Sequence, residues 1–471
     1  MKTKIKLLLF SQLILLLITT IINSSCKKFL AIDPPINQIT AESAYSSDAT
    51  ANAAIVGIYS RFGSSSIIKD ITPFTSMYSD EITNFVQGPQ TEFSESQLSL
   101  AVSPSLNSLW TAGYQYIYPA NLAIEKLEKS EAITPALKTS LIGEAKFIRA
   151  YIYLSMTSLF GDIPLITSTQ YEVNASMPRS AKSLITQKII QDLKDAESML
   201  TDKIDPERIR ANKWCAKALL ARCYLYDRQY ALAEQSASEI IESSRFALVN
   251  DLTKVFLKNS SETLLQLFPT QNNQNTLDGL TFLPASANET PKYLLTNSLL
   301  NSFEPGDLRR TSWVGSRQFA GQTMFYPAKY KVINNATLSE YQTLLRLAEL
   351  YLIRAEARIQ QEKFALGIED LNLLRKRSRA VATISIPNPL PDYLPTLNKA
   401  DAIIAVEKER RIELMTEMGH RWFDLQRTLR ADAILEALKP MTWKPYGKLW
   451  PIPDEQLKLN PQLTQNDGYI R

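Results

Sequence analysis

Residues 218–237 read ALLARCYLYDRQYALAEQSA. Two helices joined by a short turn account for this pattern. Ala221 and Tyr224 fall on the first helix, Tyr230 follows the turn, and Ala233 and Ala237 fall on the second. Small residues at those positions let two antiparallel helices approach closely, and aromatics wedge the crossing, as in a tetratricopeptide unit. The pattern returns further on, with Ala355 on one helix, Phe364 opening the next, and Gly367, Leu371 and Leu374 after it. Ala221 and Ala355 stand 134 positions apart, far more than one repeat of about 34 residues. The predicted fold class is all-α: tetratricopeptide-like helix pairs forming a scaffold with long irregular loop inserts, rather than an uninterrupted solenoid.

Outward from these pairs, helical periodicity runs over 41–60, 105–129, 134–160, 180–200, 211–226, 229–244, 340–361, 364–379 and 399–418. Candidate caps are Thr134 before Pro135, Ser180, and Asn398. Residues 62–97 and 258–338 read differently. They are rich in Ser, Asn, Thr, Gln, Gly and Pro with scattered aromatics, and long irregular stretches of this kind in a compact fold are usually functional or disordered. Pro387, Pro389, Pro391 and Pro395 make 383–397 a loop, and 440–471 is again irregular.

Composition supports the helical reading and removes several function classes. Only 14 of 471 residues are Gly, about 3% against a usual ~7%, which argues against a turn-rich β fold. His420 is the single histidine, so a His-rich zinc site or a multi-His catalytic centre is nearly excluded. No metal and no cofactor is expected. Cys215 and Cys223 lie eight residues apart on one helical stretch, roughly 12 Å at 1.5 Å per residue. That is beyond the ~7 Å reach of a disulfide, and both should be buried and reduced.

The N-terminus reads as an export signal. Lys2, Lys4 and Lys6 precede an apolar run from Leu7 to Ile22, then Ser24, Ser25 and Cys26. The small-small-Cys ending suggests a bacterial lipobox cut before Cys26, the residue then lipidated; an ordinary cleaved signal with an incidental cysteine is the alternative. Cleavage removes three lysines and no acid, so the formal net charge falls from +4 to +1. A near-neutral body offers no basic stripe for nucleic acid. No later segment reaches the ~20 apolar residues of a membrane span. The organisation is a signal peptide at 1–25, a lipid-proximal leader at 26–40 and a helical body at 41–471, with ligand-face inserts at about 62–97 and 258–338.

Function should sit in those inserts. The first carries Phe62, Phe74, Tyr78, Phe85 and Phe93; the second carries Tyr293, Phe303, Trp313, Phe319, Phe325, Tyr326 and Tyr330. Many such rings anchor loops onto the body. Others can stack on the C–H face of a sugar while neighbouring amides and carboxylates bind its hydroxyls. The ligand-binding candidates are Tyr78, Asp80, Phe85, Tyr293, Trp313 and Phe325. Asp80-Glu81 is the one loop carboxylate pair suited to acid/base work as in glycoside hydrolysis, although a hydroxyl-binding or solvated turn is the plainer reading. His420, between Gly419 and Arg421-Trp422-Phe423-Asp424, reads as a packed structural element. No catalytic residue is assigned.

Several segments together resemble the SusD/RagB family of outer-membrane nutrient-binding lipoproteins of Bacteroidetes. They are Cys26-Lys27-Lys28-Phe29-Leu30; Gly143 to Ala150 with Phe160-Gly161-Asp162-Ile163-Pro164-Leu165; Ala218 to Arg222 with Tyr224-Leu225-Tyr226; Leu345 to Leu352 with Ala355-Glu356-Ala357, Leu371-Asn372 and Arg375; Glu409 to Leu414 with Gly419 to Leu425; and Trp450-Pro451-Ile452-Pro453 through Gly468-Tyr469. The resemblance implies a tetratricopeptide-like scaffold with a loop-rich ligand face, lipid-anchored through Cys26 on the outer side of the outer membrane. It implies a SusC-type TonB-dependent transporter as partner, an oligosaccharide or peptide as ligand, and no covalent chemistry. Two other readings stay open on the residues alone: a lipid-anchored scaffold for envelope protein interactions, and a glycan hydrolase.

Overall fold

The computed structural model describes residues 3–6, 10, 40–99, 102–286 and 288–469. Cys26 and most of the signal and leader lie outside the described residues. The chain divides into two units, Met1–Ala44 and Tyr45–Arg471. In the first, Ala41–Ala44 forms one helical turn, with the Ser43 N–H donating to Thr40 Oγ1 at 3.2 Å. No helix among the described residues is long and apolar enough to cross a membrane.

The second unit is built from α1 (Asp48–Phe62), α2 (Ile71–Tyr78), α3 (Ser103–Lys129), α4 (Pro135–Phe160), α5 (Lys182–Met199), α6 (Lys213–Tyr226), α7 (Tyr230–Glu242), α8 (Leu347–Gln360), α9 (Phe364–Arg377), α10 (Lys399–Glu413), α11 (His420–Arg427) and α12 (Ala431–Leu438). From α3 to α9 each helix packs on the next, and α10 lies against α8. The two tetratricopeptide-like pairs are therefore adjacent: α7 packs on α8 although residues 243–346 intervene. That insert interrupts the sequence but not the stack. Ala348, Leu352, Ala355 and Ile359 of α8 meet Ile368, Leu371 and Leu374 of α9 in one buried core. Gly367 permits the approach, since a Cβ there would stand 2.8 Å from the Ala355 carbonyl oxygen and 2.6 Å from Ile359 Cγ1.

The helix ends show how local chemistry sets boundaries. Asn212 Oδ1 accepts from Trp214 N at 2.9 Å and Cys215 N at 3.1 Å, opening α6. Asn398 Oδ1 caps α10 through Asp401 N at 3.0 Å. Thr134 precedes α4 without a side-chain cap, and Pro135 fills the first helical position. Ser180 does not cap α5. The helix starts at Lys182, whose N–H donates to Asp162 Oδ1 at 2.8 Å. At the far end of α4, Gly161 takes φ +75°. The chain's C-terminal segment closes that end: Asn466 Nδ2 donates to the carbonyls of Phe160 at 2.9 Å and Trp450 at 2.7 Å.

Buried arginine–carboxylate forks join neighbouring helices. Arg149 holds Asp192 with two bonds of 2.8 Å between α4 and α5, and Arg222 holds Glu349 at 2.6 and 2.7 Å between α6 and α8. Burial alone would raise the Glu349 carboxyl, yet the Arg222 guanidinium holds it down to about 2. Cys215 and Cys223 are buried and unpaired, and burial pushes both thiols up to about 12.

Three two-stranded antiparallel sheets are described: β1 (Ile82–Asn84) with β3 (Tyr293–Leu295), β2 (Thr263–Leu267) with β6 (Gln342–Arg346), and β4 (Val314–Phe319) with β5 (Gln322–Pro327). The stretches 62–97 and 258–338 are thus more ordered than their composition implies. Periodicity predicted helix from 340, but every residue of β6 is buried and the strand pairs with β2. Its Leu344 and Leu345 simply continue the apolar pattern of α8.

Candidate functional site

The inserts meet at one surface. β1 pairs with β3 in the register Ile82↔Leu295 and Asn84↔Tyr293, and the Phe85 N–H donates to the Lys292 carbonyl at 2.8 Å, carrying the pairing one residue further. β3 lies against β5. The β4–β5 hairpin turns at Ala320 and Gly321, both with positive φ (48° and 79°), the twist that a two-residue hairpin loop requires. Phe319 stands at that tip. Its ring meets Phe85 edge to face, centroids 6.0 Å apart at 84°. Both rings remain open to solvent, Phe85 36% and Phe319 44% exposed, with Val86 beside them at 68%.

Amides and hydroxyls surround the pair. Tyr293 Oη donates to Gln90 Oε1 at 3.4 Å, Thr91 Oγ1 donates to Gln87 Oε1 at 3.2 Å, and Gln322 lies opposite Phe319 across the hairpin. Asn84 Nδ2 donates to the Val86 carbonyl at 2.7 Å and holds the loop in place. Exposed rings framed by side-chain amides suit a ligand with one C–H face and many hydroxyls.

The candidates divide between this surface and the interior. Phe85 belongs to the surface. Tyr293 is half-buried, its ring packed edge-on against Phe282 at 5.8 Å. Phe325 is half-buried on the other face of the hairpin, with the Arg310 guanidinium 4.4 Å above its ring. Trp313, Tyr78 and Asp80 require correction, because all three are enclosed. Trp313 is 0% exposed; its Nε1 donates to the Leu252 carbonyl at 3.0 Å and Lys329 Nζ lies 4.6 Å from its ring centre. Tyr78 is packed between Trp422 and Trp450, and its hydroxyl donates to the Gly447 carbonyl at 2.8 Å. Composition marks the inserts as polar, and cannot tell which of their rings face inward.

Asp80 and Glu81 are buried as well. Asp80 accepts from Arg421 Nε at 2.8 Å and Nη2 at 3.0 Å, and lies 2.8 Å from Arg411 Nη2. Burial opposes its ionisation, but the two guanidiniums hold it down to about 2. Glu81 accepts from Ser76 Oγ at 2.7 Å and Thr416 N at 3.1 Å, and burial pushes it up to about 7. The pair ties the first insert to α10 and α11 and faces no solvent. His420 is buried as well, beside Glu349 and Arg222, pushed down to about 4 by burial, and so neutral at pH 7. Phe319, named among the rings of the second insert but not among the ligand-binding candidates, is exposed at the hairpin tip. Its position directly before Ala320-Gly321, a turn between two strands, is the signal that marks it as a hairpin tip.

Comparison with known proteins places this geometry among relatives. Residues 28–225 match a SusD-like family described as starch-binding and associating with the outer membrane, and residues 308–469 match the SusD family. The chain is similar to SusD-like protein P25 of Formosa agariphila, 25% identical over 94% of this chain and 96% of that one. It is similar to the starch-binding protein SusD of Bacteroides thetaiotaomicron, 23% identical over 73% of this chain and 75% of the other. In structure it resembles a SusD homolog from Bacteroides thetaiotaomicron, with a TM-score of 0.75 at 19% identity, covering 90% of this chain and 97% of that one.

Proposed function

The chain belongs to the SusD/RagB family, and from that premise we propose that it is a cell-surface lipoprotein that captures an oligosaccharide, or a peptide, and hands it to a SusC-type TonB-dependent transporter. The family is one of non-catalytic binding proteins associated with the outer membrane and with carbohydrate. The observation that carries the ligand reading for this chain is the exposed Phe85–Phe319 pair framed by Gln87, Gln90 and Gln322. Stacked rings with a few hydroxyl bonds supply ~4–8 kcal/mol, a Kd of about 10⁻³ to 10⁻⁶ M. Binding that loose suits delivery, because the ligand must leave again. Cys26 supplies the anchor, each buried CH₂ of an acyl chain adding ~0.8 kcal/mol.

The test is titration of the mature protein with a panel of oligosaccharides and peptides. A ligand that binds wild type should bind Phe85→Ala and Phe319→Ala about tenfold more weakly or worse, with circular dichroism unchanged. Full-strength binding by the double variant would remove this surface from the reading. Absence of any bound glycan or peptide, together with failure to co-purify a barrel transporter, would remove the capture role itself. Labelled palmitate should enter the wild-type protein and not Cys26→Ala.

A further inference from the structure

A concave site is lined by none of the residues of the aromatic surface. A cleft of about 300 Å³ opens where the turn between α6 and α7 faces α8, α10 and α11. That volume falls at the low end of small-molecule sites, ~300–1,000 Å³. Leu225, Tyr230, Ile403 and Val406 give it an apolar wall. Its polar lining is unusual in charge: five guanidiniums, those of Arg228, Arg410, Arg421, Arg427 and Arg430, against the three carboxylates Glu356, Glu407 and Asp424.

The carboxylates are already committed. Asp424 accepts from Arg410 Nε at 2.7 Å and Nη2 at 3.1 Å, and from Arg427 Nε at 2.8 Å. Glu356 takes the other two nitrogens of Arg427 at 2.6 and 2.7 Å. Glu407 is shared by Arg421 and Arg430, each at 3.2 Å, and a fourth carboxylate, Asp80, holds Arg421 from behind. Two basic groups are left over. Among the described residues Arg228 has no carboxylate partner, its Nη2 donating only to the Arg427 carbonyl at 3.4 Å, and the Nη1 of Arg410, a side chain 2% exposed, has no hydrogen-bond partner. A buried charged donor without an acceptor costs ~1–3 kcal/mol or more; Nη1 is itself closed to solvent, so an acceptor in the cleft returns that only by drawing the Arg410 side chain toward it.

We propose that this cleft is a binding site for a small organic oxyanion with an apolar face, a sugar carboxylate being the class that fits it best. A planar carboxylate matches guanidinium forks two bonds at a time. The wall of Tyr230 and the aliphatic side chains receives the C–H face of the same molecule. Arg228 and Arg430, on the exposed rim, draw the anion in. The site shares no residue with the aromatic surface, so it stands or falls independently of what that surface binds.

Calorimetric titration of the mature protein with sodium glucuronate, sodium sulfate and glucose, at matched ionic strength in sodium chloride, tests this. Glucuronate should bind saturably, sulfate should compete with it, and glucose should give no signal in this cleft. Arg228→Gln combined with Arg430→Gln should weaken glucuronate about tenfold or more while leaving helicity unchanged. Those two side chains are surface groups, so the variant keeps the test readable if Arg410→Lys does not fold. The proposal is overturned if neither anion binds saturably, if glucose competes with glucuronate as well as sulfate does, or if the rim variant binds glucuronate at wild-type strength.

Discussion

Trp313 shows how a side chain chosen for recognition becomes a pillar. Lys329, Arg346 and Arg377 place cations 4.6, 6.0 and 5.9 Å from its ring centre, and a desolvated cation over an indole is worth ~2 kcal/mol. Trp313→Ala is expected to cost ~3–5 kcal/mol of folding stability, read by denaturant unfolding, whereas binding per folded molecule stays unchanged. Asp278 carries the opposite burden. Its Oδ2 accepts from Gln342 Nε2 at 2.8 Å, but Oδ1 has no partner, and burial, with Glu417 adding to it, pushes the carboxyl up to about 7. The folded chain therefore keeps this proton over a range where the unfolded chain, with a pKa of ~3.9, has lost it. Asp278 thus lowers stability progressively as pH rises from ~4 to ~7, and the loss persists above. Asp278→Asn mimics the protonated acid. It should raise stability at pH 8 by ~2–4 kcal/mol and change it little at pH 4; equal effects at both pH values would refute the assignment.

Helix pairs were legible because their cause is local. The 3.6-residue period, Asn398 and the small residues of 218–237 act within one or two turns, and α3 to α7, α9 and α10 begin close to where the pattern puts them. What was hidden depends on partners distant in sequence. β6 is a strand only because β2 pairs with it, Ser180 yields its cap role to Asp162, and Phe319 is exposed only because β4 turns back on β5. The inward faces of the two inserts were unreadable for the same reason. Gly367 makes the local logic testable. Gly367→Ala places a methyl against the Ala355 carbonyl, where the backbone of α8 cannot yield, so α9 must shift outward. We expect a loss of ~1–3 kcal/mol, whereas Gly57→Ala, on a helix position with nothing within 4 Å of the new Cβ, should stabilise α1 by ~0.5–1 kcal/mol. Thermal unfolding of the two variants side by side would expose an error in either sign.

An insert of about a hundred residues in a helical stack can be an appendage or a part of one cooperative structure, and the buried charges decide between them. Glu413 of α10 accepts from three guanidiniums drawn from three places: Arg309 of the insert at 3.0 Å, Arg346 of β6 at 2.8 Å and Arg377 of α9 at 2.6 and 2.7 Å. Arg377 also reaches Glu262 beside β2 at 2.9 Å, and Arg309 reaches Glu409 at 2.5 Å. Although burial opposes it, these cations hold the Glu413 carboxyl well below the ordinary range. No member can leave without stranding charge in the interior, at ~3–5 kcal/mol for a broken buried pair, so insert and stack should open together. In native-state hydrogen exchange, the amides of β2 and β6 are expected to share the opening free energy of α8. Glu413→Gln should lower stability by ~3–5 kcal/mol and bring the β2 and β6 amides below those of α3 and α4, because it loosens the insert where it is tied. If the wild-type strands already exchange far faster than α8, the knot does not couple the two, and the aromatic surface is carried on a segment that moves independently of the scaffold.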